Sequence, residues 1–329
     1  MGLINNFIFN SIKQKEDNFT KIVRAYDNGE TWAQKEFNNL LKNGDQNILY
    51  QIDSIRQKIY ANDAKKNDPK AMFYYGISSH DFNTFMRMLV PLAEQGNVDA
   101  IIAIASEYSL GTITSSNAEE SFKWYLKAAR LGDVSSQNIV ALSYTCNDGC
   151  GEINYDKAFH WYSASAKQNN ASGYCGMATC YEHWQDELVF PLHEATSVLH
   201  QRNYSDINDA SLKYDEKRID CYETARNFIS NNDEAIETFY GLAKSYASAS
   251  KHLSNQSNIQ MAQKLAIYYY YVAHDCGHPY GLKYAKEIAD NNNIYVNFYN
   301  IDDWAEKEGI ITSEHVEKGV SQSLCKPSN

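Results

Sequence analysis

The fold is decided by residues 122–132, which read FKWYLKAARLG, and by residues 159–166, which read FHWYSASA. Their two Trp-Tyr pairs lie 37 positions apart, and Gly96 precedes Gly132 by 36 positions. A period of this length, marked by small residues and aromatics, is typical of stacked helical repeats. The sequence therefore predicts an all-α solenoid rather than one globular core.

Each repeat is predicted to contain two helices. Ala100, Ile104 and Tyr108 share one face of a 3.6-residue helix, which ends near Gly111. After a short loop, the second helix carries the Trp-Tyr pair and ends at Gly132, a residue type that suits a helix C-terminus. Only 5 of the 329 residues are prolines, which also favours helices.

The chain is predicted to have three regions. Residues 1–61 form a divergent helical N-terminal cap, residues 62–290 form the repeat solenoid, and residues 291–329 form a degenerate C-terminal cap with a frayed tail. Within the solenoid, residues 185–213 contain Pro191 and many Asn and Asp residues, which favours a long loop. Such a loop inside a regular array indicates a specificity feature.

The chain has a formal net charge of -11 at pH 7. This charge argues against nucleic-acid binding, which needs a basic surface. It is compatible with a basic protein partner, because complementary charge steers encounter. An acidic surface also keeps a protein soluble, and this second interpretation is favoured from the sequence.

The sequence also bears on location. The apolar patch within residues 1–10 has neither a basic flank nor a cleavage site, so no signal peptide is expected, and no stretch is long and apolar enough for a membrane span. The 7 cysteines without a secretion signal predict reduced thiols in the cytoplasm.

Two groups of residues raise the possibility of a metal site. Cys146, Cys150, Cys175 and Cys180 have the residue type of a four-thiolate zinc site, but the second pair lies five positions apart on a predicted helix and points in different directions. His274 and His278 flank Gly277, which ends a helix, so they cannot share a helical face. Buried thiols and a helix-end histidine are the favoured interpretations.

An enzymatic alternative depends on the region of the predicted loop. The ligand types of a metal-dependent hydrolase are present there: His183, His193, Glu194 and His200. However, the sequence contains no Gly-x-Ser-x-Gly, phosphate-binding Gly-x-x-x-x-Gly-Lys or His-Glu-x-x-His motif. We therefore predict a non-catalytic protein that uses no cofactor or metal.

Positions on first helices that repeat packing does not require are predicted to contact a partner. These candidates are Glu107, Ser143, Thr179, Glu182, His183, Trp184 and Lys244. The run Tyr268–Tyr271 offers interface anchors as well, but packing between repeats is the favoured interpretation.

The combined spacing resembles that of the Sel1-like repeat family, a relative of the tetratricopeptide repeats. The best matches are residues 121–132 and residues 155–166, where Asp156 and Lys157-Ala158 precede the Trp-Tyr pair. The resemblance implies a right-handed α/α superhelix whose first helices line a concave surface. Members of the family act as adaptors for other proteins and share no catalytic residue set, and the resemblance implies the same for this chain.

These observations lead to a functional expectation. The chain is predicted to hold a protein partner in its concave groove, and its acidic charge is compatible with a basic partner. The concrete hypothesis is a bacterial immunity or antitoxin-type inhibitor, motivated by the acidic charge and by the family resemblance. The alternative is a regulatory or host-interaction scaffold.

Overall fold

The computed structural model describes residues 18–42, 46–194 and 204–310, and within these ranges the chain forms helices and no strands. The all-α prediction is therefore confirmed. Successive helices pack on one another along the chain in two compact units, Met1–Leu131 (unit 1) and Gly132–Asn329 (unit 2). The boundary between the units lies inside the predicted solenoid and coincides with neither of the predicted region boundaries.

Unit 1 begins with helical residues 18–27, which we call α1. Its remaining helices are α2 (Thr31–Lys42), α3 (Gln46–Lys65), α4 (Pro69–Ile77), α5 (Phe82–Glu94), α6 (Val98–Leu110) and α7 (Ala118–Arg130). Val23, Phe37, Ile52 and Ile55 form a small apolar core near the N-terminal end. The helices of residues 18–65 agree with the helical pattern predicted for that region.

The described part of unit 2 contains helices of 7 to 24 residues. They are α8 (Val134–Cys146), α9 (Tyr155–Ala166), α10 (Ala171–Glu194), α11 (Tyr204–Ala225), α12 (Asn232–His252), α13 (Gln256–Asp275), α14 (Gly281–Asn291) and α15 (Ile301–Lys307). A short 3-10 turn, Arg226–Phe228, follows α11. The even-numbered helices from α8 to α14 are the first members of the helix pairs.

Short polar residues determine where the repeat helices begin. The side chains of Asn97, Asn117, Asp133 and Asn154 each accept a hydrogen bond from the backbone N–H three residues on, at 2.7–3.1 Å. This contact satisfies one of the N–H groups that have no partner inside the helix. At the other end of α6, Gly111 adopts φ 68°, a left-handed conformation that ends the helix.

Tyrosines of second helices pack directly on glycines of the next first helix in unit 2. A Cβ atom at Gly176 of α10 would overlap the ring of Tyr162 from α9, and one at Gly241 of α12 would overlap the ring of Tyr222 from α11. The same contact thus recurs in two successive helix pairs. It explains why the period consists of small residues and aromatics.

The tyrosine run of α13 is largely internal. Tyr268, Tyr269 and Tyr270 are buried in the core of unit 2, which also contains Phe239 and Leu242. Tyr271 is half-buried and packs against the same core. The interpretation of this run as packing between repeats is confirmed.

The predicted long loop at residues 185–213 is wrong over most of its length. Helix α10 continues through Pro191 to Glu194, and α11 begins at Tyr204, so within the predicted loop only residues 195–203 fall outside the described residues. The inward face of α11 carries Ser211, Asp215 and Arg218, all buried. Because the buried face is polar over the first half of α11, this part of the helix lacks the apolar periodicity by which it would be recognised.

Candidate functional site

The first helices α8, α10 and α12 of unit 2 lie side by side, with α10 in the middle. Asn138 of α8 donates a 2.9 Å hydrogen bond to Asn170, the residue that precedes α10. Between α10 and α12, Ser172 bonds to Glu234 at 3.2 Å, and the Lys244 Nζ lies 2.7 Å from the Glu182 Oε1. We call these three helices the first-helix layer.

On α8, the exposed side of the first-helix layer carries no charge. The exposed residues of this helix are Ser135, Ile139, Leu142 and Cys146, and their spacing of four, three and four places them on one face. Leu142 is 56% exposed and Ile139 is 36% exposed. This face therefore presents aliphatic surface of the kind that partner proteins cover.

On α10 and α12, the exposed charges are mostly acidic. Among the side chains of these helices that the structure describes, Asp186, Glu187, Asp233 and Glu237 are exposed, against one exposed basic residue, Lys251 in the last turn of α12. Neither α8 nor α10 contains any Lys or Arg. The positive charge at Lys244 is compensated by its ion pair with Glu182. The exposed charge of the first-helix layer is thus negative.

Glu237 has an unfavourable environment for its own charge. Its side chain is accessible to solvent, yet the surrounding protein desolvates it, and the Glu234 carboxylate lies nearby. Desolvation first, and Glu234 second, raise the pKa of Glu237 above the ordinary glutamate value. A cation bound beside Glu237 would therefore relieve this penalty.

A buried polar cluster joins α10, α11 and α12 beneath the first-helix layer. The Gln185 amide donates to the Asp215 Oδ1 at 3.1 Å and accepts from the Arg218 Nη1 at 3.0 Å. The His252 Nδ1 lies 2.8 Å from the other Asp215 oxygen. Arg218 also lies 3.6 Å from Glu182, so the cluster is connected to the Glu182–Lys244 pair.

The carboxyl of Glu182 responds to these neighbours. Desolvation alone would raise its pKa, but the charges of Arg218 and Lys244 and the hydrogen bond from Lys244 outweigh it and hold the pKa below the ordinary value. Glu182 is therefore fixed as a carboxylate. Its pair with Lys244 ties α10 to α12 at the edge of the exposed face.

Two of the predicted contact residues, Glu107 and Ser143, are buried. In unit 1, Glu107 accepts hydrogen bonds from the Thr112 hydroxyl and from the backbone N–H groups of Ile113 at 2.7 Å and Thr114 at 3.0 Å. In unit 2, Ser143 donates to the Ile139 carbonyl at 3.0 Å. Glu107 holds the loop that follows α6, and Ser143 bonds within its own helix.

The other five predicted residues lie on α10 and α12. Thr179 is exposed, and Glu182 and Lys244 form the ion pair described above. His183 stacks on Tyr155, with ring centroids 3.5 Å apart, and its Nε2 lies 3.1 Å from the Glu187 Oε1. Trp184 packs beside the ring of Phe159, with centroids 5.3 Å apart. The structure thus brings Glu182 and Lys244 together, whereas His183 and Trp184 face α9.

Sequence reasoning missed the residues that give the first-helix layer its character: Ile139, Leu142, Asp186, Asp233 and Glu237. One signal in the sequence was available to find them. Helices α8 and α10 carry 13 and 24 residues without one Lys or Arg. In a chain with 30 Lys and Arg residues, such a gap marks these helices as different from their neighbours.

The cysteines do not form the four-thiolate arrangement. Cys146 is exposed, Cys150 is half-buried, and Cys175, Cys180 and Cys221 are buried free thiols. Burial raises the pKa of Cys180 to about 12, so this thiol stays protonated and is a poor metal ligand. Across the described residues, no three His, Cys, Asp or Glu side chains are grouped to hold a metal ion.

The remaining chemical candidates lie apart or outside the described region. His183 stacks on Tyr155, the side chains of His193 and Glu194 fall outside the described part of α10, and His200 lies outside the described residues. Cys276 is disulfide-bonded, so the expectation of reduced thiols is wrong at this position.

Comparison with known proteins agrees with the helix pairs. Residues 98–133 and 135–170 each match the Sel1 repeat. A solved structure, the crystal structure of a Sel1 repeat protein from Oxalobacter formigenes, is 17% identical, with 74% of this chain and 95% of that chain covered at a TM-score of 0.44. A search of curated proteins finds no match.

The pairs of antiparallel helices define a helical-repeat protein. The two matched segments, residues 98–133 and 135–170, are Sel1 repeats, as the sequence predicted. Proteins of this type are generally protein-interaction modules. None of the described helices is long and apolar enough to cross a membrane.

Proposed function

We propose that unit 2 binds a basic segment of a protein partner along the first-helix layer. The observation that carries the proposal is the charge of this layer, where the described side chains include four exposed carboxylates and one exposed lysine. A segment rich in Lys and Arg would be attracted to this surface, and complementary charge raises the rate of encounter and excludes acidic competitors.

The layer also indicates how the segment is oriented. Leu142 and Ile139 offer an aliphatic contact on α8, whereas Asp186 and Glu237 offer charge on α10 and α12. A segment with an apolar side chain at one end and basic side chains at the other fits this arrangement. Its apolar anchor supplies the larger part of the binding energy, since exposed charge pairs contribute little on their own.

The proposed role is binding rather than catalysis. In its concrete form, the protein occludes a basic effector, as an immunity or antitoxin-type inhibitor does. The adaptor role differs from it in one respect, because a scaffold held by apolar contacts does not depend on salt. Electrostatic occlusion is weakened by salt, since exposed charges separated by more than a Debye length of about 8 Å at physiological ionic strength are screened.

The proposal is tested by reversing charge on the layer and elsewhere in the same unit. The tagged chain is purified from its native cell with its partner, and the partner's affinity is measured for Asp186→Lys/Glu237→Lys. The matched control is Glu216→Lys/Asp220→Lys, which makes the same charge change on exposed residues of the second helix α11. All four positions are exposed, so both variants are expected to fold.

We expect the layer variant to bind at least about tenfold more weakly and the control to stay within about threefold. The wild-type complex is expected to weaken with salt, and the partner's binding segment is expected to be basic. Equal weakening by the two variants would contradict the proposed location. A complex that persists unchanged in high salt would support the adaptor role instead.

A further inference from the structure

Unit 1 contains a cavity of about 490 Å³ between the end of α3, the start of α4 and the face of α5. Its floor is apolar and includes Met72, Met88 and Leu92. Pro91, inside α5, also lines it and offers no N–H group. Thioether and aliphatic side chains adapt well to a flexible aliphatic ligand. The volume lies within the range of about 300–1,000 Å³ typical of ligand sites.

The rim of this cavity is basic in a chain that is acidic overall. Lys65 and Arg87 are its charged lining residues, and none of the described residues that line it is acidic. Arg87 makes a hydrogen bond of 3.5 Å to Thr84, and within the described chain neither cation has a carboxylate within ion-pair distance. The adjacent Lys66, by contrast, pairs with Asp63 at 2.9 Å.

We propose that this cavity binds an aliphatic carboxylate. The carboxylate lies at the rim between Arg87 and Lys65, and the aliphatic body lies on Met72, Met88 and Leu92. Arginine suits this role because its planar guanidinium donates two parallel hydrogen bonds to a carboxylate. The ligand chemistry is shared by a fatty acid and by the C-terminal residue of a peptide that ends in leucine.

Calorimetric titration of the full chain with decanoate tests the proposal, with acetate and decanol as comparators. Acetate lacks the aliphatic body and decanol lacks the charge, so each is expected to bind at least about tenfold more weakly than decanoate. Decanol that binds as tightly as decanoate would show that charge has no part, and it would overturn the proposal.

Variants of the rim provide the second measurement. Lys65→Gln/Arg87→Gln is expected to weaken decanoate binding at least about tenfold, while Lys66→Gln, next to the cavity but paired with Asp63, stays within about twofold. All three side chains are exposed, so unfolding in urea should give matching midpoints and thereby exclude a folding defect. Equal effects of the two variants would contradict the assignment of the rim.

Titration with a peptide distinguishes the two sources of the ligand, a fatty acid and the C-terminus of a peptide. Acetyl-Ala-Ala-Leu is titrated with a free and with an amidated C-terminus. Tighter binding of the free peptide than of decanoate would support a partner's C-terminus as the ligand, and weaker binding would support a fatty acid. If neither decanoate nor the free peptide binds, the proposal is wrong.

Discussion

The helix pairs α8–α9 and α10–α11 are neighbours in unit 2, but they are built differently. The first pair has 13 and 12 residues, buries Val140, Ala141 and Ala158, and exposes an uncharged face on α8. The second has 24 and 22 residues and a buried polar cluster. The helices of a repeat can therefore be lengthened when hydrogen bonds and ion pairs, rather than apolar contacts, join the added turns.

The longer pair also changes the exposed face. Arg218 in the cluster reaches Glu182, which binds Lys244 on the next first helix. Lys244 is thereby neutralised, and its charge does not offset the exposed carboxylates of Asp186 and Glu237. Internal polar contacts of the longer pair thus contribute to the charge that we propose a partner recognises.

The largest effect is expected from breaking the buried cluster. Asp215→Ala leaves Arg218 and Gln185 buried without their shared partner, and it should destabilise the protein by about 3–5 kcal/mol. Asp156→Ala removes an exposed carboxylate from the shorter pair and should cost less than about 1 kcal/mol. Urea unfolding of both variants measures the difference. Similar losses in the free energy of unfolding would contradict the idea that a buried polar cluster stabilises the longer pair.

An intermediate effect is expected at the contact that both pairs make, in which a tyrosine of the second helix packs on a glycine of the next first helix. Gly176→Ala places a methyl group against the ring of Tyr162, and Gly241→Ala places one against the ring of Tyr222. Overpacking costs about 1–3 kcal/mol, partly offset by the better helix propensity of alanine, about 1 kcal/mol.

Thermal unfolding should therefore show two small and similar decreases in Tm. Ser135→Ala, on the exposed face of α8, is the control and should leave the Tm unchanged. A large loss at only one glycine would mean that the tyrosine–glycine contact is not equivalent in the two pairs.

The smallest effect is expected at Glu237, which lies on α12, the helix that follows the longer pair α10–α11. Because its pKa is raised in the folded state, its ionisation destabilises the fold at neutral pH, and this penalty disappears below the unfolded value of about 4.3. Glu237→Gln should therefore raise the urea midpoint at pH 7 and leave it unchanged near pH 3.5. Glu216→Gln on α11 is the control for removing one exposed carboxylate. A decrease at pH 7 would contradict the unfavourable environment described for Glu237.

The sequence predicted the part of the fold that depends on apolar periodicity. The spacing of Ala100, Ile104 and Tyr108, and the recurring Trp-Tyr pairs, identified the helix pairs because small residues permit close helix approach and aromatics fill the space between repeats. It failed over the first half of α11, where Ser211, Asp215 and Arg218 occupy the buried face. Polar residues at helical spacing can be recognised as buried only when their partners on another helix are known.

The candidate site was predicted less well than the fold. Glu107 follows Ala100 by seven residues, and Ser143 follows Ser136 by seven, so each lies on the buried face of its helix rather than the exposed one. Glu182 and Lys244 were predicted individually, but their ion pair joins residues 62 positions apart. Such a contact depends on which helices become neighbours.

The most direct test of partner binding along the first-helix layer is the rate at which Cys146 is alkylated with and without the co-purified partner. Cys146 is exposed on the same face as Leu142, whereas Cys175 and Cys180 are buried. In the free protein, Cys146 should react with maleimide faster than the buried thiols, as measured by mass spectrometry of peptides. If the partner covers the first-helix layer, it should slow the reaction of Cys146 at least about tenfold. An unchanged rate at Cys146 in a saturated complex would mean that the partner does not cover the exposed face of α8.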